Sequence, residues 1–294
     1  RYKIPIAEHR DMASAGRSIR VALDWTPNTT HTGLYVARAM GLFREAGLDV
    51  EIISPDVDDY TLTPGRRVAA GGADFCFAPS ETAVSFATTE PNKPRLRAVA
   101  AAMQRDLSSI MTLASSGISR PSMLDGKTYA SYQGRFEMAI VRQMIKNDGG
   151  EGSVMEVLPP KLSIYDNVVG GSYDSTWIFD HHEGVLASRS GLQLNTFKLD
   201  DYNIPYGYSP LLLAHPSMLD EANKADATRF LGAVSAGYVY AAKNPDEAAD
   251  MLRQESAHPT LADADFVRES QRVASADYLN DSGGGGTMEE ARWA

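Results

Sequence analysis

Apolar and polar positions alternate over Ile19-Arg20-Val21-Ala22-Leu23 and stop at Asp24-Trp25-Thr26-Pro27-Asn28, a cluster of turn formers. That pattern predicts a strand running into a loop. From Thr32 the period changes: Leu34, Val36, Ala37 and Met40 recur at helical spacing up to Gly41, and residues 42–46 continue as helix to Gly47. Alternation returns over residues 48–53, a second strand; residues 66–70 suit a helical turn and residues 73–78 a third strand. Helical spacing resumes over residues 80–86, and further strands are expected at 96–103 and 110–114. A second round follows, with a strand over 127–132, a helix over about 136–146, and strands over 154–158 and 172–179. Residues 211–214 form one more short strand, and residues 220–253 are mostly helical, with Asn244-Pro245 opening one helix.

Strand, helix, strand, helix, strand with short connections calls for right-handed crossovers and a mostly parallel sheet. Two such units in tandem, followed by a strand and helices, predict an α/β chain that crosses to a second lobe and returns. The expected parts are 18–104 and 207–294 for one lobe, 105–206 for the other, and an N-terminal extension over 1–17. The crossings fall at Gln104-Arg105-Asp106 and over 203–210, a stretch dense in Pro, Gly and Tyr. Residues 280–287, with four consecutive glycines, are expected to form a flexible surface loop.

Composition narrows the function more than the fold. With 28 Lys and Arg against 38 Asp and Glu, the net charge of -10 gives no field to draw phosphate backbones or anionic lipid, so nucleic acid is not an expected partner. Cys76 is the single cysteine and lies in an apolar strand, which excludes an internal disulfide or a Cys-based zinc site and favours a buried, inert thiol. No run approaches the roughly 20 apolar residues of a membrane span, and the first twenty residues do not look like a signal-peptide core. No membrane insertion is therefore expected.

In open α/β sheets ligands bind at the carboxyl ends of the strands. The loops there hold Asp24, Trp25, Asn28 and His31, then Pro79, Ser80 and Glu81, and in the second unit Tyr132, Gly134, Arg135 and Glu137. Past the later strands come Trp177, Asp180, His181, His182 and Glu183, then Tyr206, Gly207 and Tyr208. Aromatic rings clamp a planar ligand, and carboxylates accept hydrogen bonds from exocyclic amines or ring N–H groups, so a small amine-bearing heterocycle suits this set. Ser80-Glu81 also suits a helix start, Ser as cap and Glu in the first turn. The Asp180-His181-His182-Glu183 run invites a metal, but adjacent side chains rarely face one ion and no His-x-x-x-His follows, so none is expected. No GxGxxG, GxxxxGK[ST] or Gly-x-Ser-x-Gly occurs, and no catalytic residue is assigned.

The run from Leu23-Asp24-Trp25-Thr26-Pro27-Asn28 through Thr29-Thr30-His31-Thr32-Gly33-Leu34-Tyr35, with Gly41-Leu42-Phe43 and Gly47-Leu48-Asp49-Val50, resembles the opening of the thiamine-pyrimidine-precursor family. That family contains ThiY-like substrate-binding proteins of ABC importers and fungal hydroxymethylpyrimidine phosphate synthases, in a broader group with sulfonate-binding proteins. Ala73-Asp74-Phe75 with Pro79-Ser80-Glu81, and Trp177 with Glu183-Gly184, support the likeness over roughly residues 19–255. It implies a bilobal type II periplasmic-binding-protein fold with a cleft between lobes. It also implies a binding role for a thiamine pyrimidine precursor, with Glu183 on the amine or ring nitrogen, Trp25, Asn28 and Tyr35 in the matching first motif, and Tyr206 and Tyr208 closing over the ligand. Periplasmic or cell-surface placement follows, with a cytoplasmic relative as the alternative, and an ABC permease is the implied partner. The synthase branch needs a His and a Lys for pyridoxal phosphate and a Cys-rich return crossing. Residues 78–82 carry neither His nor Lys and residues 203–209 no Cys, so no cofactor is expected. Asp180-His181-His182 stands before Glu183 where another aromatic is expected. Remaining alternatives are that enzyme, or a binder of a small anion countered by Arg135.

Overall fold

The computed structural model describes residues 16–89 and 92–293, so the N-terminal extension lies outside the described residues apart from its last two. In chain order the strands are β1 (Arg17–Ala22), β2 (Leu48–Ile53), β3 (Phe75–Ala78), β4 (Arg97–Ala101), β5 (Ser108–Leu113), β6 (Thr128–Ala130), β7 (Met155–Val157), β8 (Ser175–Phe179), β9 (Leu194–Phe197) and β10 (Leu211–Ala214). The helices are α1 (Thr32–Ala39), α2 (Leu42–Glu45), α3 (Pro64–Ala69), α4 (Ser80–Thr88), α5 (Glu137–Asn147), α6 (Ile164–Val169), α7 (Val185–Ser190), α8 (Lys224–Lys243), α9 (Pro245–Ser256) and α10 (Ala264–Ser275).

Two five-stranded sheets result, β2-β1-β3-β10-β4 and β7-β6-β8-β5-β9, and their topologies are the same. In each, a parallel β-α-β-α-β unit is joined at its third strand by an antiparallel strand that arrives from the other lobe. The inserted strands are β10, antiparallel to β3 and β4, and β5, antiparallel to β8 and β9. The sheets are thus mixed, more so than the local pattern suggests, because β5 and β10 are the first strands laid down after a crossing. Leu211, Leu212 and Leu213 of β10 are all fully buried, as a central strand covered on both faces requires. One device recurs in both lobes. Asp74, just before β3, accepts from the backbone N–H of Arg20 (2.8 Å), and Asp174, just before β8, accepts from that of Thr128 (2.8 Å). Each carboxylate ties the third strand of its unit to the first, which gives Ala73-Asp74-Phe75 a structural reason.

The first lobe's core is built on α8. Phe230 stacks on Phe75 with centroids 4.5 Å apart and on Phe43 at 5.8 Å. Burying each such ring is worth roughly 1.5–3 kcal/mol. Where α1 crosses α8, Gly33 faces Gly237: a Cβ on Gly237 would overlap the Gly33 carbonyl, and one on Gly33 would overlap the Tyr238 ring. No described helix is long and apolar enough to cross a membrane.

The glycine-rich segment differs from expectation. Residues 283–287 pack on the first sheet's edge, where Ala101 N–H donates to Gly286 O (3.1 Å), Ser235 Oγ to Gly285 O (2.8 Å) and Gln104 Nε2 to Thr287 O (3.0 Å). Gly283 and Gly286 sit at positive φ, and a Cβ at Gly285 would press on Ser235. The glycines serve close approach and left-handed backbone here rather than freedom.

Candidate functional site

The cleft is built from loops at the carboxyl ends of strands. After β1 the chain turns through Asp24 to Asn28, and the turn is fixed from below by a buried polar network. Tyr238 Oη donates to Thr30 O (2.6 Å), Tyr278 Oη donates to Thr29 O, Thr29 Oγ meets Ser270 Oγ (2.8 Å), and Thr32 Oγ donates to Gln271 Oε1 (2.6 Å). His31 is fully buried, its Nδ1 accepting from the Asn28 N–H (3.3 Å) and its Nε2–H therefore donating to Asp24 (2.7 Å). With both nitrogens engaged, His31 orients Asp24 and has no lone pair left for a base. The Thr-Thr-His-Thr-Gly part of the first motif thus holds Trp25 and Asp24 at the cleft.

Trp25 stands beside Tyr60 (centroids 5.0 Å) and meets Tyr132 of the second lobe edge-on at 6.0 Å. Across from them Trp177, 8% exposed, packs at 5.8 Å against Tyr206. Tyr206 Oη donates to Glu81 (2.7 Å). Burial raises the Glu81 carboxyl above its ordinary range, a shift that the Tyr206 hydrogen bond partly offsets. Glu137 accepts from Tyr129 Oη (2.8 Å), Ser131 Oγ (3.2 Å) and the N–H groups of Tyr132 (3.1 Å) and Gly134 (2.8 Å), so it fixes the loop that carries Tyr132.

After β8 the chain makes one wide π-helical turn, Asp180–Gly184. His181, His182 and Glu183 all line the cleft from it. Glu183 accepts from the Phe179 N–H (2.9 Å), while the His182 ring meets Phe266 edge-on at 5.1 Å. His181 is 3% exposed, and burial first, then its histidine neighbours, lower its pKa to about 3, so the ring is neutral. Its Nδ1 has no hydrogen-bond partner. Tyr132 is raised far above its usual range by burial and then by the Glu183 charge.

The cleft cavity, open on one side, measures about 290 Å³, room for one heterocycle with a short substituent. Four carboxylates (Asp24, Glu81, Glu137, Glu183) line it, and no Lys or Arg does among the described residues. Of the eleven residues assigned to ligand binding from sequence, seven reach the cleft, Trp25, Asn28, Glu81, Tyr132, Trp177, Glu183 and Tyr206, together with Asp24, Pro79, Gly134, Glu137, His181 and His182 of the same loops. Four do not. Tyr35 is 3% exposed in the first lobe's core, with the Arg38 guanidinium 5.7 Å from its ring. Ser80 is the first residue of α4 and not its cap, the cap position being Pro79. Tyr208 is buried under the C-terminal segment, its Oη accepting from the Glu289 N–H (2.8 Å) and its ring carrying the Arg292 guanidinium at 3.9 Å. Arg135 is exposed on the second lobe and reaches across to Ser85 Oγ of α4, which places it outside the cavity. Missed from sequence was Tyr60, which backs Trp25 from a residue at positive φ; the π-helical turn that carries His181 to the cleft likewise leaves no periodic signal.

The NMT1/THI5-like family model matches residues 28–248, well over half of the chain. The chain belongs to the NMT1/THI5-like family. Within reach of this member is the formylaminopyrimidine-binding protein of Halalkalibacterium halodurans, 27% identical over 281 residues, which cover 94% of this chain and 82% of the relative. Among solved structures, a protein of Bordetella bronchiseptica RB50 superposes with a TM-score of 0.69 at 19% identity, covering 93% of this chain and 85% of the other. The periplasmic aliphatic sulphonate-binding protein of Escherichia coli gives a TM-score of 0.67 at 13% identity, with coverage of 92% and 83%. The NMT1/THI5-like chain therefore has the bilobal α/β architecture of periplasmic binding proteins, as the resemblance implied.

Proposed function

We propose that this NMT1/THI5-like protein is a substrate-binding protein that captures an unphosphorylated aminopyrimidine precursor of thiamine between its lobes and delivers it to an ABC importer. The observation that carries this is the make-up of the cavity: aromatic walls from both lobes and four carboxylates, without a lining Lys or Arg among the described residues. Carboxylates complement an amine edge and repel phosphate or sulfonate. The name of the Halalkalibacterium relative supports the same ligand class, and the sulphonate-binding neighbour shares the fold alone. A periplasmic or cell-surface location goes with that role. Pyridoxal phosphate does not fit this cavity, because among the described residues no lysine lines it to hold the cofactor as an imine.

Isothermal titration with N-formyl-4-amino-5-aminomethyl-2-methylpyrimidine, hydroxymethylpyrimidine phosphate and taurine tests the proposal. The uncharged pyrimidine is expected to bind and the two anions not to. Glu183→Gln should weaken binding by about 10- to 100-fold, since a hydrogen bond to a charged partner contributes about 1.5–3 kcal/mol. Preferred binding of the phosphate or of taurine would overturn it.

A further inference from the structure

The cavity wall includes an imidazole that the protein itself leaves without a hydrogen bond. His181 is 3% exposed, its ring lies 5.8 Å from that of Phe179 and tilted by 55°, and its Nδ1 is buried without a partner. Buried polar atoms are nearly always paired, and the His181 ring lines the cavity without a hydrogen bond from the protein, so a partner that comes with the ligand would complete it. Its environment keeps the ring neutral, so it is not there to attract an anion. Nor is its tautomer set by the protein, because that requires a hydrogen bond to one nitrogen that fixes the other. The imidazole can present either N–H or lone pair. This contrasts with His31, whose two nitrogens are both committed to Asn28 and Asp24.

Two residues further on, Glu183 also lines the cavity and is the acceptor proposed above for the amine. The wide turn brings a carboxylate and a neutral, adaptable imidazole to the same cavity. We infer that His181 is a second specificity determinant, hydrogen-bonding the polar substituent that the aminopyrimidine carries beside its amine edge, so that the cavity selects a pyrimidine with a hydroxymethyl or acylaminomethyl arm over the bare ring. This inference rests on the aminopyrimidine proposal. It also accounts for an imidazole where the resemblance led to an aromatic: a phenyl ring there offers packing alone.

The test compares two probes, the formylaminomethyl pyrimidine above and 4-amino-2,5-dimethylpyrimidine, which keeps the amine edge and lacks the polar arm. The wild-type protein is expected to bind the first at least tenfold more tightly. His181→Phe should reduce that preference to within about twofold while leaving affinity for the dimethyl compound nearly unchanged, and His181→Asn should restore part of it. A preference that survives in His181→Phe overturns the inference. If His181→Phe does not fold, imidazole 15N shifts of the wild-type protein decide. The ring that stays neutral at pH 5 should move on adding the formylaminomethyl probe and not the dimethyl one, and unmoved shifts overturn the inference. Equal binding of both probes by wild-type protein overturns the role of His181 alone. Binding of neither overturns the aminopyrimidine proposal together with it.

Discussion

Asn28 shows how a side chain can stand in a ligand cavity and still belong to the scaffold. Its Oδ1 accepts from the Thr30 N–H (2.9 Å) and hydroxyl (2.7 Å), its Nδ2 donates to Thr26 O (3.0 Å), and it caps the short 3-10 turn Thr29–His31. Removing such a cap costs about 1 kcal/mol. Asn28→Ala should therefore lower Tm by roughly 2–4 °C, and Asn28→Ser should recover most of the loss. Should Asn28→Ala instead keep its Tm in differential scanning fluorimetry and lose ligand binding, the amide contacts the ligand directly and the capping account fails. The same ambiguity explains why Tyr35 and Tyr208 stood beside Trp25 as sequence candidates. Tyrosine is equally at home in a core with its hydroxyl satisfied and on a ligand wall. Only the three-dimensional partners, Arg38 for one and Glu289 with Arg292 for the other, separate the two uses.

The crossing of α1 and α8 links packing to the site. Tyr238, next to Gly237, supports the Trp25 turn through Thr30 O, and the helices can approach closely enough only because both crossing residues lack a Cβ. Gly237→Ala has to push the backbones apart, and overpacking of this kind costs about 1–3 kcal/mol or more. A Tm lower by roughly 5–10 °C is expected, with weaker binding as Tyr238 moves off Thr30. A Tm within 2 °C of wild type would mean that the crossing adjusts without strain. Nearly all the strands of the two units and the helices α1 to α5 were legible in the sequence, because period and turn chemistry are local, whereas the short α6 between β7 and β8 was not. β9 was not: Leu194-Asn195-Thr196-Phe197 is a four-residue edge strand with two polar positions, too short for alternation to stand out. The antiparallel insertion of β5 and β10 depends on long-range pairing, and the seating of residues 283–287 on β4 depends on glycines fitting a surface that is remote in sequence.

Where the chain first passes between lobes, the two halves are coupled through a crowd of acids. Asp106 accepts from the Ser108 hydroxyl (2.6 Å) and N–H (3.2 Å), yet burial, with smaller contributions from the Glu81 and Asp180 charges, pushes its carboxyl up to about 7. Glu81 comes from α4 in the first lobe with Tyr206 of the return crossing on it, and Asp180 comes from the second lobe, tied to Ser109 Oγ (3.0 Å) and Lys198 Nζ (3.4 Å). A carboxyl whose pKa is raised on folding binds a proton in the native state that the unfolded chain has already lost. Its contribution is therefore full below the unfolded value near 4 and is lost as pH rises through about 7. His181 acts in the opposite sense, since its folded pKa near 3 lies below the unfolded one and its contribution falls away as pH drops below about 6.5. The wild-type profile mixes both, so the informative quantity is the difference between Asp106→Asn and wild type. Asparagine cannot ionise, so the variant should gain on wild type steadily between pH 4 and 7 and hold a constant lead above that. Thermal unfolding at half-unit steps from pH 4 to 8.5 measures it, and a difference that stays flat across the range would show that Asp106 is ionised in the folded protein throughout and that the crossing carries no such strain.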